Sequence, residues 1–313
     1  MRFDWIAGTG GIGKGEVFRL IGNETLGREE SRSAVLTDYK DYCKAHIILS
    51  YPARLLPKKV PVFALGKVGD DDRGNALIGE METVGIQTRF LEKSKLPTKY
   101  SVCYLYENGN GGNITTCNDA CGEVDAAYLL RTLDEIVSFY GGNGLVLAAP
   151  EVELKERMQF LSCAKKTGAM TVASVLAGEA EEFLDKGYAR HCDVLAVNAD
   201  EIKALGNGDG ERGVRAITEQ NKSAALIVTA GEKGAICRYG GKIEKIPALK
   251  ANVVSTAGAG DALLGGMMAG LCGGLEIQEA VRLGAACASF AVESPHTIPE
   301  KLNGDAVKRR YIK

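Results

Sequence analysis

The sequence contains few of the residues from which metal sites are usually built. Its 313 residues include three histidines, His46, His191 and His296, which lie far apart along the chain. The nine cysteines are also scattered, and none belongs to a Cys-x-x-Cys pair. Such cysteines are expected to be reduced thiols inside apolar segments. The composition therefore predicts neither a histidine-based metal site nor a disulfide framework.

Charge and hydropathy argue against two further kinds of partner. The chain has 38 Lys and Arg against 40 Asp and Glu, a formal net charge of -2, and no basic stripe, so nucleic acid is not expected as a partner. Its apolar runs are much shorter than the roughly 20 residues that span a bilayer. It does not open with a charged region followed by an apolar one, as a secretory signal does. We therefore expect no membrane association and a cytoplasmic location.

Strands and helices alternate in the second half of the chain. Four apolar segments predict strands, at 145–149, 170–176, 193–198 and 224–229. The amphipathic stretch 151–166 predicts one of the intervening helices, and this alternation indicates a parallel sheet with helices on both faces. In the first half, segments 100–106 and 113–117 flank a glycine-rich turn and predict a hairpin. We expect one α/β domain over residues 1–313 with a small β flap from N-terminal segments.

A glycine-rich loop follows the first predicted strand, with the sequence Gly8-Thr9-Gly10-Gly11-Ile12-Gly13-Lys14-Gly15. Gly8, Gly10 and Gly13 fit the dinucleotide pattern G-x-G-x-x-G, and Gly8, Gly13 and Lys14 fit most of the P-loop pattern. Both patterns need a helix directly after the loop, whose N-terminus faces the phosphates. The P-loop also needs a hydroxyl where Gly15 stands. A third interpretation is a tight turn where the backbone passes close to substrate.

A second glycine-rich segment, 257–261, lies between a predicted strand end and an apolar helix over 262–271. Its glycines leave backbone N–H groups open at the helix N-terminus, where the helix dipole adds partial positive charge. The segment therefore predicts an anion cradle. Asp261 lies at the rim, where a carboxylate can accept a proton from an attacking hydroxyl while the N–H groups hold a transferring phosphoryl. The alternative is an Asp that caps a buried helix.

Four motifs in the same order and spacing resemble those of the ribokinase (PfkB) carbohydrate kinase family. They are Thr256-Ala257-Gly258-Ala259-Gly260-Asp261, Gly66-Lys67-Val68-Gly69-Asp70-Asp71-Asp72-Arg73-Gly74, Asn198-Ala199-Asp200-Glu201 and Thr229-Ala230-Gly231-Glu232-Lys233-Gly234-Ala235. The resemblance covers about residue 60 to the end. It implies a ribokinase-like α/β fold and transfer of the γ-phosphoryl of ATP, with Mg²⁺, to a hydroxyl of a small sugar, nucleoside or polyol.

The resemblance also implies roles for individual residues. Asp261 is expected to be the general base, with an anion hole made of the backbone amides of Gly258, Ala259 and Gly260. The residues expected around the nucleotide are Asn198, Glu201 (acting on Mg²⁺ indirectly), Thr229, Gly231, Gly234, Ala285 and Ser289. Residues of about 13–50 and 96–120 are expected to form a β lid over the acceptor. Because a lid with an open sheet edge often pairs with the same edge of a second copy, we expect a homodimer through the lid.

The N-terminal half departs from the family pattern. The family places an acceptor-binding Asp after the first strand, where this chain has Ile12-Gly13-Lys14-Gly15. His46 stands near the position of the family's acceptor-site Asn. We therefore expect Gly11, Lys14 and His46 to contact the acceptor, and we hypothesise that Lys14 and His46 suit an acceptor with negative charge.

Two more departures concern a monovalent cation. Ser255 and Ala257 stand where potassium-activated members often have Asp and Thr. Without that carboxylate we expect weak or absent activation by potassium.

Three functional hypotheses follow from the sequence. The first is an ATP-dependent kinase with Asp261 as base. The second is an NAD(P)-dependent oxidoreductase that uses Gly8 to Gly13. The third is a catalytically weak binding protein on the kinase scaffold, which would bind ATP without turnover.

Overall fold

A computed structural model of the chain describes residues 1–22, 29–108, 111–300 and 302–311. The strands are β1 Trp5–Thr9, β2 Gly13–Leu20, β3 Ala34–Tyr42, β4 Val62–Gly69, β5 Ile86–Gln87, β6 Leu91–Ser94, β7 Lys99–Leu105, β8 Gly111–Thr115, β9 Gly144–Ala148, β10 Met170–Ser174, β11 Val194–Asn198, β12 Ala225–Thr229, β13 Ala235–Tyr239 and β14 Lys242–Ile246. The α-helices are α1 Lys44–Leu55, α2 Asp72–Thr83, α3 Ala126–Tyr140, α4 Leu154–Lys166, α5 Ala180–Asp185, α6 Ala199–Ala204, α7 Gly210–Gln220, α8 Ala259–Gly273, α9 Ile277–Ala291 and α10 Gly304–Tyr311. No helix in these ranges has the length and apolarity that a membrane crossing requires.

The larger sheet has ten strands. Nine of them follow the order β14-β13-β12-β11-β10-β9-β1-β4-β5, and β6 pairs with the second half of β4. All pairings from β12 through β9 and β1 to β4 are parallel, whereas β13 and β14 add an antiparallel edge. The carboxyl ends of the parallel strands therefore meet at one edge of the sheet, where ligand sites of such folds form.

Helices cover both faces of this sheet, because alternate strand residues point to opposite sides. Ile6 of β1 packs into a core with α1, α2, α8 and α9, while its neighbour Trp5 packs into a core with α3 to α7. Both side chains are fully buried. The prediction of a mostly parallel sheet with helices on both faces, accompanied by a small second sheet, is confirmed.

The second sheet has four strands in the order β3-β2-β7-β8. β7 and β8 form the predicted hairpin; residues 109–110 of its turn, and residues 23–28 of the predicted lid, lie outside the described ranges. β2 and β7 pair in parallel, which ties the segment after β1 to the hairpin. At the base of the sheet the buried Lys99 ammonium lies 2.8 Å from Asp119 Oδ2. Whether this sheet acts as a lid stays a prediction.

Residues 44–50 belong to α1 and not to the second sheet, so the predicted lid boundary at residue 50 is placed too far along the chain. α1 packs closely against α8 at Gly265, where a Cβ would lie 2.3 Å from the carbonyl oxygen of Ile48. This close approach brings the first residue of α1, Lys44, beside the start of α8.

Candidate active site

The first turn of α8 has the geometry of an anion cradle. Gly258 precedes the helix with φ at +74°, a left-handed conformation that glycine adopts without strain. A Cβ there would lie 3.0 Å from the carbonyl oxygen of Thr297. The structure gives the amides of Gly258 and Gly260 no acceptor among the described residues, and the amide of Ala259 makes a long 3.3 Å hydrogen bond to Thr256. Backbone N–H groups at this helix N-terminus are therefore available to an anion.

Asp261 lies in that first turn with a cation beside it. Its side chain is 15% exposed, and its Oδ1 is 3.4 Å from the Nζ of Lys44. Burial raises the pKa of Asp261, and the positive charge of Lys44 opposes that rise. The charge of Asp261 in turn raises the pKa of Lys44, so the lysine stays protonated. A carboxylate with increased proton affinity that remains ionised suits general-base chemistry.

Glu151 completes a group of three charged side chains. It lies three residues after the end of β9, at the edge where the parallel strands end, and has the uncommon φ of +77°. Its Oε2 accepts a hydrogen bond from the backbone N–H of Lys44 at 3.2 Å. Burial raises its pKa, while Lys44 lowers it. A Cβ on Gly11 would lie 2.1 Å from Glu151 Oε2, so this approach requires glycine at position 11.

The Asn-x-x-Glu motif begins α6. Asn198 Oδ1 accepts hydrogen bonds from the amides of Asp200 and Glu201, and Glu201 Oε2 accepts one from the amide of Asn198 at 2.7 Å. The two side chains thus form a capping box. Burial raises the pKa of Glu201, and the negative charge of Asp261 raises it further. The motif therefore has a structural role, and its role near Mg²⁺ and the phosphates stays a prediction.

A crevice connects this motif with Asp261. It is lined by Lys44, Pro150, Ser174, Val175, Ala196, Val197, Asn198, Glu201, Thr229, Gly260, Asp261 and Leu264. The predicted residues Asn198, Glu201, Thr229, Gly260 and Asp261 are therefore brought together. The turn after β12 lies next to the crevice, with Gly231 and Gly234 at φ of +56° and +85°.

The pfkB family carbohydrate kinase model matches residues 48–302. The chain belongs to this family. It is 30% identical over 210 residues to the deoxyribokinase of Salmonella typhi, a match that covers 65% of this chain and 66% of that protein, just under two thirds of its length. Its fold is similar to a ribokinase of Thermotoga maritima (TM-score 0.82, 20% identity, 99% of this chain and 100% of the other). It is also similar to an Arabidopsis thaliana ribokinase solved with ribose and ATP (TM-score 0.78, 19% identity, 99% of both chains).

Membership of this family agrees with the predicted enzyme class, because the matching model describes carbohydrate kinases. The path of the N-terminal loop also fits a kinase of this family better than the two nucleotide motifs. Gly8 lies inside β1, and the loop leads into the strand β2. The dinucleotide and P-loop interpretations are therefore wrong, because both require a helix at this point.

Two predicted acceptor contacts of this pfkB kinase need correction. His46 is buried in α1, and burial lowers its pKa to about 3, so its ring is neutral. The Nζ of Lys14 is 2.8 Å from Glu80 of α2 and is neutralised by it. These two side chains do not form a cationic pair, so the structure gives no support to an anionic acceptor held by them. Gly11, in contrast, lies directly against Glu151.

Two predicted adenine contacts lie outside the crevice. Ala285 and Ser289 are buried in α9. Ser289 Oγ donates to the carbonyl of Ala286 at 2.6 Å and accepts a hydrogen bond from Arg310 of α10 at 3.1 Å. These contacts hold α10 against α9, and a role beside the adenine stays a prediction for both residues.

Lys44 and Glu151 are site residues that the motifs did not identify. No sequence motif singled them out. Lys44 precedes a segment with little helical periodicity, and Glu151 is one of several acidic residues that come after a predicted strand. The usable clue was position, because residues just beyond parallel strands converge at one edge of the sheet.

Proposed function

We propose that this chain transfers the γ-phosphoryl of ATP to a hydroxyl of a small sugar, nucleoside or polyol. Asp261 is the general base, and the amides of Gly258, Ala259 and Gly260 form the anion hole. The observation that carries the proposal is the ionised pair of Lys44 and Asp261 at the N-terminus of α8, at one end of a crevice that reaches Asn198 and Glu201. A base and an anion cradle lie within one helical turn.

Each group in this arrangement has a separate task. Asp261 accepts the proton of the attacking hydroxyl, which makes the oxygen a stronger nucleophile. The free amides and the dipole of α8 stabilise negative charge on the phosphoryl group in transfer. Lys44 holds Asp261 ionised and adds positive charge where the transferring group arrives. Glu151 fixes the start of α1, and through it the position of Lys44.

The donor set fits a magnesium ion that is held mainly by phosphate oxygens. No group of three or more His, Cys, Asp or Glu within the described ranges could hold a metal by itself. Mg²⁺ in kinases usually keeps several waters and takes one or two carboxylates. Glu201 has one carboxylate oxygen beyond its capping bond, so we propose it as the indirect, water-mediated ligand. When bound, the ion would neutralise charge on the ATP phosphates.

We further propose that the second sheet is the acceptor lid and that the enzyme works in the cytoplasm. The edge strands of this sheet expose Leu36 and Ile114, whose side chains are 49% and 66% accessible. Exposed apolar residues on open edges favour the predicted homodimer through the lid. Light scattering of the purified protein tests this, and a monomer at all concentrations would contradict it.

The test of the kinase function is acceptor-dependent turnover of Mg-ATP over a panel of sugars, nucleosides and polyols. Asp261→Asn should lower kcat by about 10²–10⁴, the usual contribution of a general base, while ATP binding remains. Asp305→Asn, an exposed acid in the first turn of α10, is the matched control and should keep full activity. ATP binding without turnover of any acceptor would favour the binding-protein alternative instead.

A further inference from the structure

Asp41 lies on one face of the second sheet, next to a glycine of β2. It pairs with Gly15 of β2, and its Oδ2 is 3.2 Å from the point where a Cβ of Gly15 would be. The thiol of Cys103 in β7 donates a hydrogen bond to the same oxygen at 3.2 Å. The structure gives the other oxygen, Oδ1, no donor among the described residues. On this face the side chain of Ser101 lies over Gly15, with its Oγ 2.1 Å from the same point, and one oxygen of Asp41 is left without a donor beside it.

The opposite face of this sheet is already covered. Lys14 points to that side and reaches Glu80 of α2, and the guanidinium of Arg73 lies 4.0 Å from the centre of the Tyr100 ring. Glu16, next to Gly15, also points there and accepts a hydrogen bond from Tyr100 at 2.9 Å. The face that carries Asp41 is the one that α2 leaves free.

Asp41 also lies near the proposed base. Burial raises its pKa, the Cys103 thiol opposes this, and the negative charges of Asp38 and Asp261 raise it further. The backbone N–H of Cys43, two residues after Asp41, donates to the carbonyl of Gly13 at 3.1 Å, and the next residue, Lys44, contacts Asp261. The end of β3 thus leads from Asp41 directly to the charged group at the start of α8. Asp38 is engaged elsewhere, because its Oδ1 lies 2.5 Å from the His296 ring nitrogen.

We propose that Asp41 selects the acceptor: its carboxylate accepts hydrogen bonds from a hydroxyl or ammonium group of an acceptor that carries no acidic group. This inference rests on the proposed kinase function, because it names the substrate class of that reaction. A carboxylate is an acceptor only, so its ligand must supply the proton.

The charges around the site support the exclusion of acidic acceptors. Asp41, Glu151 and Asp261 are carboxylates, and the cations close to them already have partners. Lys44 pairs with Asp261, and Lys99 pairs with Asp119 at 2.8 Å. A carboxylate or phosphate on the acceptor would therefore meet like charges in a partly desolvated site, which weakens binding.

The test uses wild-type protein without ATP and matched ligands that differ in one group. The pairs are ribose and ribose 5-phosphate, and adenosine and its 5′-monophosphate; glucose, glucosamine and glucuronate form a triad. Binding is measured by calorimetry and thermal shift. We expect the uncharged member of at least one set to bind the wild type, and its acidic analogue to bind at least about tenfold more weakly. Asp41→Asn should weaken binding of the uncharged ligand by about 10–100-fold, as for the loss of a hydrogen bond to a charged group.

Glu16→Gln is the matched control, because it removes a carboxylate from the other face of the same sheet; it should bind the ligand as the wild type does. In turnover, Asp41→Asn should raise the KM of the acceptor and leave the KM of ATP unchanged. The glucosamine arm separates an ammonium donor from a hydroxyl donor. Equal binding by Asp41→Asn, preference for an acidic member, or no binding in the panel would each overturn the inference.

Failure of the kinase function would look different. If a ligand binds in an Asp41-dependent way but is never phosphorylated, the inference stands and the function falls. If a ligand is phosphorylated equally well by Asp41→Asn and by the wild type, the function stands and the inference falls.

Discussion

The contact between α1 and α8 sets the distance between Lys44 and Asp261, and Gly265→Ala tests it. A Cβ at position 265 would lie 2.3 Å from the carbonyl oxygen of Ile48 and 2.9 Å from the Cβ of Tyr51. Contacts under 3.0 Å are essentially never observed, so the helices must separate by about 0.7 Å to relieve the closer one. Because α1 carries Lys44 and α8 carries Asp261, that movement acts directly on the site.

The expected losses in stability and in activity differ in size. Overpacking of this kind costs about 1–3 kcal/mol, whereas replacing Gly by Ala inside a helix gains about 1 kcal/mol. The net loss in the free energy of unfolding should therefore be at most about 2 kcal/mol. Catalysis is more sensitive, since a misplacement of about 1 Å can cost roughly 10²-fold. We expect Gly265→Ala to stay folded while its kcat falls by about 10–100-fold.

The assay combines urea unfolding with acceptor-dependent ATP turnover. Gly273→Ala is the control on the same helix, because a Cβ there meets nothing within 4 Å. It should keep the wild-type kcat and match or exceed wild-type stability. A Gly265→Ala enzyme with normal kcat would refute the reasoning, as would an equal loss in Gly273→Ala.

The remaining predictions concern the same site. Lys44→Met removes the positive charge that lowers the pKa of Asp261, so the acidic limb of the pH profile of kcat/KM should move to higher pH. Lys44→Arg keeps the charge and should leave that limb in place. An unmoved limb in Lys44→Met would show that Asp261 is not the group that titrates. Potassium should raise kcat only weakly or not at all over sodium, because Ser255 supplies no carboxylate and the carbonyl of Val292 already accepts the amides of Val254 and Ser255. A large rate increase on adding potassium would contradict this. The kcat loss of Asp261→Asn and the acceptor KM of Asp41→Asn complete the set.

Local patterns in the sequence were sufficient for the architecture. Apolar segments at strand spacing, separated by amphipathic helices, can bury their side chains only in a sheet covered on both faces, and the structure has that form. Glycines next to Asp261 predicted an anion cradle because a helix N-terminus leaves its amides open whatever the surroundings. Both features depend on residues close together in the chain.

Other features were decided by contacts between distant segments. The glycine loop after β1 matched two nucleotide motifs, but pairing of β2 with β7, about 85 residues later, made the next element a strand. The sequence predicted His46 and Lys14 as acceptor contacts. In the structure, burial keeps the His46 ring neutral, and Lys14 pairs with Glu80.

The sequence by itself thus indicated the fold class, the family and the anion cradle beside Asp261, because these depend on local periodicity and on motifs of a few residues. Only the tertiary structure decided which charges share the site. Lys44 meets Asp261 across 217 positions of chain, and Asp41 pairs with Gly15 of β2, a contact that no motif indicated. Charge–charge interaction depends on distance in space and on burial, and neither can be obtained from spacing along the chain.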